Sequence, residues 1–462
     1  MPGMGPVDSG FLLIESREHP MHVGGLQLFT VPDGEPATWV RDQLMAIEPE
    51  QISPRFRLKP KDPVGLLGNF RWSVDNSLDL DHHIRRSAVP GPARLRELFE
   101  LASRWQGSLL DRHRPLWEVH TVEGLEDGRV AVFTKVHHAL VDGVSALHLM
   151  QQACSPDPDA RDCIPPYALP AEAVEGTVGG KRSGLGMPNP ITLLRGGLDV
   201  AGELASIGPN SLKVAYRSLR DTGLTTPFDA PRTILNGRIG GARRFVAQSF
   251  GLERFRAVAT ACDVSLNDCV LAVCGGALRR YLGELDELPD RSLTAMCPIN
   301  LRDEKSEVGG NEIGAMIANL GTDLEDPVER IEAVHESTTA AKQTMGELTT
   351  LQLLLMSGYN VAGLGLSMLP TYSLGGRPPF NVIISNVPGP RKQMYFNGAH
   401  LEGTYPASIP LDGLAMNITL VTYDDQIDFG ITACRSSAPS VQRMIHHLED
   451  ALADLEKATA AA

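Results

Sequence analysis

The sequence predicts an α/β protein built as two related domains. Three observations carry that expectation. The chain has 462 residues, too many for one ordinary core at roughly 150 residues per domain. Apolar residues make up 42% and charged residues 21%, the balance of a folded globular chain rather than a disordered one. Strand-like and helix-like patterns alternate on both sides of one Pro- and Gly-rich stretch.

In chain order, "GGLQLFTV" reads as a strand, "RLRELFELASRWQ" as an amphipathic helix and "RVAVFTKVHH" as a buried strand. Residues 155–190, with "SPDPDARDCIPPYALP" and "GTVGGKRSGLGMPNP", are too dense in Pro and Gly for a helix or a central strand, and read as an inter-domain linker. A helical stretch over 191–220 follows, either bridging or lipid-facing. From Arg243 the alternation resumes: "RRFVAQSF" as strand, "SLNDCVLAVCGGALRRYL" as helix, "SLTAMCPINLR" as strand and a helix over 327–345. The strands "FNVIISNVP", "LAMNITLVTY" and "QIDFGITAC" and the helix "SVQRMIHHLEDALADLEK" complete the chain. The expected units are 1–154, a linker with its bridging segment over 155–242, and 243–462.

Charge and cysteine usage exclude several classes. A net charge of −14 with scattered Lys and Arg leaves no footprint for nucleic acid. The same acidity repels anionic headgroups, so membrane contact would have to be apolar. Seven cysteines without a CxxC pair or zinc-like His spacing read as reduced, packed thiols of a cytoplasmic protein. The start, "MPGMGPVDSGFLLIE", lacks the basic and long apolar regions of a secretory signal. Residues 348–376 carry no charge, but Gln352, Ser357, Asn360 and Ser367 interrupt them and Pro370 closes them. They read as a buried helix or the lining of an apolar cavity rather than a membrane span.

The stretch "KVHHALVDGVSA" holds the candidate chemistry. Side chains alternate along a strand, so His137 and His138 point to opposite faces. Asp142 and Gly143 fall at the turn into the next helix, where Asp caps and Gly tolerates a tight backbone. A neutral imidazole is well suited to take the proton of a hydroxyl as it attacks a carbonyl. His138 is the candidate base, His137 its support. An HH pair by itself favours packing. His82-His83 and His446-His447 serve as internal controls, since neither sits at a strand-to-turn junction with Asp-Gly behind it. No GxSxG, HExxH, GxxxxGK[ST] or post-strand GxGxxG motif is present, and nothing calls for a metal or a nicotinamide.

"HHALVDG", His137 to Gly143, resembles the HHxxxDG signature of the coenzyme A-dependent acyltransferase superfamily, which includes chloramphenicol acetyltransferase and peptide-synthetase condensation domains. "LLDRHRPLWEV" adds the Leu-Asp and Pro-Leu-Trp pattern. "PVDSGFLLIESREHPMHVGGL", "SLNDCVLA", "PINLR", "SNVPGP" and "NITLVTYDDQIDFGI" look like the bacterial wax ester synthase/acyl-CoA:diacylglycerol acyltransferase family. The resemblance runs nearly end to end and is weakest over 155–223.

It implies two chloramphenicol-acetyltransferase-like domains, each a mixed sheet with helices, and one active site at their interface. It implies His138 as general base and Asp142 as a structural member of the motif. The family's Asn-Asp motif falls on Asn267 and Asp268. Ser265 and Asp268 form a capping box, so Asp268 serves the helix, while Asn267 is either an oxyanion or substrate contact or a packing residue. Asn386 and Arg302 are weaker substrate-binding candidates that could equally fix loops, and Trp117 reads as a core anchor. Arg243 and Arg244 are available for CoA phosphates.

The expected activity is transfer of a fatty acyl group from acyl-CoA, as co-substrate, to a long-chain alcohol and to diacylglycerol, without a cofactor or covalent intermediate. Such substrates imply peripheral contact with a membrane or lipid inclusion, with 191–220 as the first candidate segment. A superfamily enzyme with another acceptor, or a non-catalytic lipid-inclusion protein, stands as the alternative.

Overall fold

The computed structural model describes residues 4–62, 70–178, 225–300, 313–347 and 377–460. The first part runs α1 (Pro6–Ile14), β1 (His22–Thr30), α2 (Trp39–Met45), β2 (Leu58–Pro60), β3 (Trp72–Val74), α3 (Leu80–His83), β4 (Ile84–Ala88), α4 (Leu95–Gln106), β5 (Trp117–Glu123), β6 (Val130–His137), α5 (Gly143–Gln152) and α6 (Ala171–Val178). The second runs β7 (Arg243–Gly251), α7 (Leu252–Ala261), α8 (Leu266–Gly283), β8 (Thr294–Asn300), β9 (Ile313–Asn319), α9 (Pro327–Glu347), β10 (Val382–Pro388), β11 (Tyr395–Phe396), β12 (Ala399–Ala407), β13 (Met416–Tyr423), β14 (Gln426–Cys434) and α10 (Met444–Ala460).

Two six-stranded mixed sheets organise these elements, ordered β11-β12-β1-β6-β5-β4 and β7-β14-β13-β10-β8-β9. β4 and β5 run parallel in the first, and β10 runs parallel to both β13 and β8 in the second. The strands read as continuous apolar runs because helices cover the sheets. α7, α8 and α10 pack with α9 on one face of the second sheet, around Phe255, Leu278, Ile331 and Leu452. On the first sheet, α1, α5 and α6 cover the face carrying Val130, Val132 and Val136. α4 covers the opposite face, where Leu98 and Ala102 meet Phe133.

The two halves are not independent. β11 and β12 come from the C-terminal part of the chain yet pair at the edge of the first sheet, with β12 antiparallel to β1 from Gly24↔Ala407 to Thr30↔His400. α4 in turn lies against Phe245 and Ala247 of β7, and Ser103 Oγ accepts from the Phe245 N–H at 2.8 Å. Where β12 crosses β14, Gly430 lets the Pro406 carbonyl approach so closely that a Cβ would collide with it.

One expectation fails. The Pro- and Gly-dense 155–190 stretch does hold a helix: α6 forms at Ala171–Val178 and buries Val174 and Val178 in the first core. The reason is position. Pro170 precedes the helix and its carbonyl accepts from Ala173 and Val174, so the prolines start the helix rather than break it. Trp117 is the core anchor its sequence suggested: it stacks between His83 at 4.3 Å and Tyr167 at 4.8 Å, and its indole N–H donates to the Phe56 carbonyl at 2.8 Å. All seven cysteines are unpaired. Among the described residues no single helix is long and apolar enough to cross a membrane, although α7 and α8 together, bent by 102°, match in length and composition. The 191–220 and 348–376 segments lie outside the described residues.

The β12–β14 crossing gives a first prediction. Gly430→Ala forces a methyl into the Pro406 carbonyl and should destabilise the protein by about 1–3 kcal/mol, seen as a lower urea midpoint. An unchanged midpoint would mean that the two strands do not cross this closely.

Candidate active site

β6 delivers the histidine pair and α5 closes the turn behind it. His137 is the last residue of β6 and sits opposite His22 of β1. The His138 N–H continues the pairing by donating to the Met21 carbonyl at 2.8 Å. As the alternation requires, the two rings part. His138 is half-buried and stacks on Phe11 of α1, ring centroids 4.3 Å apart and planes 24° from parallel. His137 is fully buried on the other side.

The buried ring has a defined tautomer. His137 Nδ1 accepts from the Ala139 N–H at 3.0 Å, so Nε2 carries the proton, and it faces Glu15 Oε1 at 3.3 Å. Glu15, the residue that ends α1, is held from every side. Its Oε1 also accepts from the Met21 N–H at 3.1 Å, and its Oε2 accepts from Arg112 Nε at 3.1 Å and Nη2 at 2.9 Å. Arg112 Nη2 additionally donates to the Leu12 carbonyl at 2.7 Å, tying the same guanidinium to α1. Burial works to raise the Glu15 pKa, but the bonds from His137 and Met21 and the charge of Arg112 outweigh it and hold the carboxyl at about 2. Beside it, burial keeps His22 neutral, its Nε2–H donating to the Gln106 carbonyl at 2.9 Å.

Asp142 caps α5. Its Oδ1 accepts the Ser145 N–H at 2.9 Å and its Oδ2 the Ser145 hydroxyl at 2.8 Å, which fixes the turn that carries His138. Gly143 departs from expectation: its φ is not left-handed, and a Cβ would meet only Val23 Cγ1, at an ordinary 3.7 Å. The backbone of this turn does not demand glycine. The control pairs are structural, with His83 stacked on Trp117 and His447 Nε2 3.1 Å from Glu284 Oε2.

The second domain contributes an amide pair. Ser265 and Asp268 form the capping box at the start of α8, and Asp268, wholly buried, also accepts from the Thr338 hydroxyl at 2.7 Å and pairs with His335 Nδ1 at 2.9 Å. It ties α8 to α9. Asn386 Nδ2 donates to Asn267 Oδ1 in a long bond of 3.5 Å, which brings "SNVPGP" and "SLNDCVLA" together. Asn386 lies within β10, not in a loop. Its neighbour Val387, with Val421, packs on Leu147 and Met150 of α5, so this strand borders the helix that Asp142 caps. Arg302 lies outside the described residues. Arg243 is not available for phosphates: it is buried, and its guanidinium donates to the carbonyls of Glu18 and Gly240. Arg244 stands 3.6 Å from Glu100.

Residues 4–270 match the wax ester synthase/diacylglycerol acyltransferase catalytic domain, and residues 309–456 match the WS/DGAT C-terminal domain. The chain belongs to this family. A candidate diacylglycerol O-acyltransferase of Mycobacterium tuberculosis is 47% identical over 460 residues, covering 98% of this chain and 99% of that one. The O-acyltransferase WSD of Acinetobacter baylyi is 39% identical over 453 residues, covering 96% and 95%. The solved wax ester synthase/diacylglycerol acyltransferase of Marinobacter aquaeolei VT8 superposes with a TM-score of 0.80 at 37% identity, covering all of both chains. The first condensation domain of the calcium-dependent antibiotic synthetase shares the fold, with a TM-score of 0.54 at 16% identity and coverage of 100% and 97%. The two-domain α/β expectation is borne out, and acyl transfer is the chemistry of this family.

Phe11, Glu15, Met21 and Arg112 were not singled out from the sequence, although they lie in two of the motifs that carry the family resemblance. Glu15→Gln would remove the carboxylate charge that Arg112 and His137 both face and should cost on the order of 3 kcal/mol at neutral pH, with loss of turnover. Because folding lowers the Glu15 pKa from its ordinary 4.5 to about 2, its charge stabilises fully above pH 4.5 and less as pH falls toward 2. Urea titrations of parent and variant should therefore differ most at neutral pH and converge in acid. A gap that widens in acid would contradict the network.

Proposed function

We propose that this protein transfers a fatty acyl group from acyl-CoA to the hydroxyl of a long-chain alcohol, giving a wax ester, and of diacylglycerol, giving triacylglycerol. The observation that carries the reading is the His138 ring, half-buried and stacked at the turn that Asp142 fixes, while its neighbour is locked away on the opposite face. The names of the relatives supply the two acceptor classes.

His138 takes the hydroxyl proton as the oxygen attacks the thioester carbonyl. The tetrahedral intermediate collapses, the C–S bond breaks, and the imidazolium returns the proton to the CoA thiolate. No acyl-enzyme forms. Asn267 is the proposed donor to the developing oxyanion: with its Oδ1 turned to Asn386, its Nδ2 hydrogens point elsewhere and are suited to a carbonyl oxygen. Asp142 and Asp268 hold the scaffold, and His137 braces the pair. Peripheral contact with a membrane or lipid inclusion belongs to the same proposal, since both acceptors partition into lipid.

Thiol release from palmitoyl-CoA, with hexadecanol or diacylglycerol as acceptor, tests this directly. His138→Ala should lose roughly a hundredfold or more in turnover while its melting temperature stays near the parent's. Activity within about tenfold of the parent would remove His138 as the base. Lipid binding without any CoA release by the parent would favour a non-catalytic protein.

A further inference from the structure

The reaction asks one ring to hold a fixed plane while it gains and loses a proton. We propose that Phe11 is the positioning residue that sets this plane for His138. The stack is close and nearly parallel, at 4.3 Å and 24°, and Phe11 is 9% exposed, with its other surroundings in the first core. A face-on stack fixes the plane of the imidazole, and with it the direction in which its ring nitrogens point. It also places the imidazolium, as it forms, over an aromatic face that attracts cations.

What distinguishes Phe11 from an ordinary core ring is the element that bears it. The Phe11 carbonyl accepts the N–H of Glu15 at 3.1 Å, so the residue stacked on His138 also ends the helix at the residue that holds His137. Arg112 clasps that helix at the Leu12 carbonyl and at the Glu15 carboxylate. Met21 then closes the loop, its N–H donating to Glu15 and its carbonyl accepting from His138. One nine-residue helix and the turn after it therefore meet both histidines, His137 through the Glu15 carboxylate and His138 through its ring face. A leucine at position 11 would fill the volume and keep the helix, but it would not define a plane.

Two measurements separate this role from packing. With histidine labelled at the ring carbon between its nitrogens, the His138 signal, identified by its loss in His138→Ala, should be shielded by the Phe11 ring current. The shielding should vanish in Phe11→Leu and persist in Phe11→Tyr. In kinetics, Phe11→Leu should lose roughly tenfold to a hundredfold in kcat with KM for acyl-CoA within about twofold, and Phe11→Tyr should recover most of it. An unshielded His138 in the parent overturns the proposal, as does a folded Phe11→Leu with parental kcat. If Phe11→Leu fails to fold, the parent and Phe11→Tyr spectra still decide. The kinetic arm rests on His138 being the base. Should His138→Ala turn over normally, that reading fails while the spectral arm still tests the stack.

Discussion

A single buried carboxylate organises this protein. Glu15 joins three segments that are far apart in sequence: the end of α1, the Arg112 loop and the end of β6. An unpaired carboxylate at this depth would be costly, so each partner is needed to keep the others buried. The consequence for chemistry is indirect. With His137 locked on one face of the strand end, His138 has only one side on which to emerge, and α1 meets it there with Phe11.

The same N-terminal segment stitches the two domains together. His19 pairs with Asp412 at 3.2 Å, and Asp412 also accepts the Ile239 N–H at 2.8 Å. Arg243 reaches the Glu18 carbonyl, and Gly241 lies so close to the Arg17 carbonyl, 2.7 Å from where a Cβ would stand, that a larger residue would push the segments apart. β12 adds to this by pairing with β1 directly. The histidine turn is therefore referenced to both sheets.

How much of this was legible depended on range. The opposite facing of His137 and His138, the Asp142 cap and the Ser265–Asp268 box were readable because strand alternation and capping act within four residues. Glu15 and Arg112 are 97 residues apart, and no local rule links them. α6 was hidden because averaging Pro and Gly over a window lost the fact that Pro170 comes just before the helix. The tight backbone that a glycine at position 143 would tolerate is not used: its φ is not left-handed and a Cβ would meet only an ordinary contact. Asn386 illustrates a subtler limit: its strand was evident from "FNVIISNVP", but the Asn267 opposite it could be found only once the second sheet met α8.

In the proposed mechanism His138, held by the N-terminal helix, receives the acceptor's proton. A crystal structure with a non-transferable thioether analogue of acyl-CoA and a long-chain alcohol tests it most directly. The alcohol oxygen is expected within about 3.2 Å of a His138 ring nitrogen, with His137 still turned to Glu15. An alcohol oxygen bound against another side chain, out of reach of His138, would contradict it.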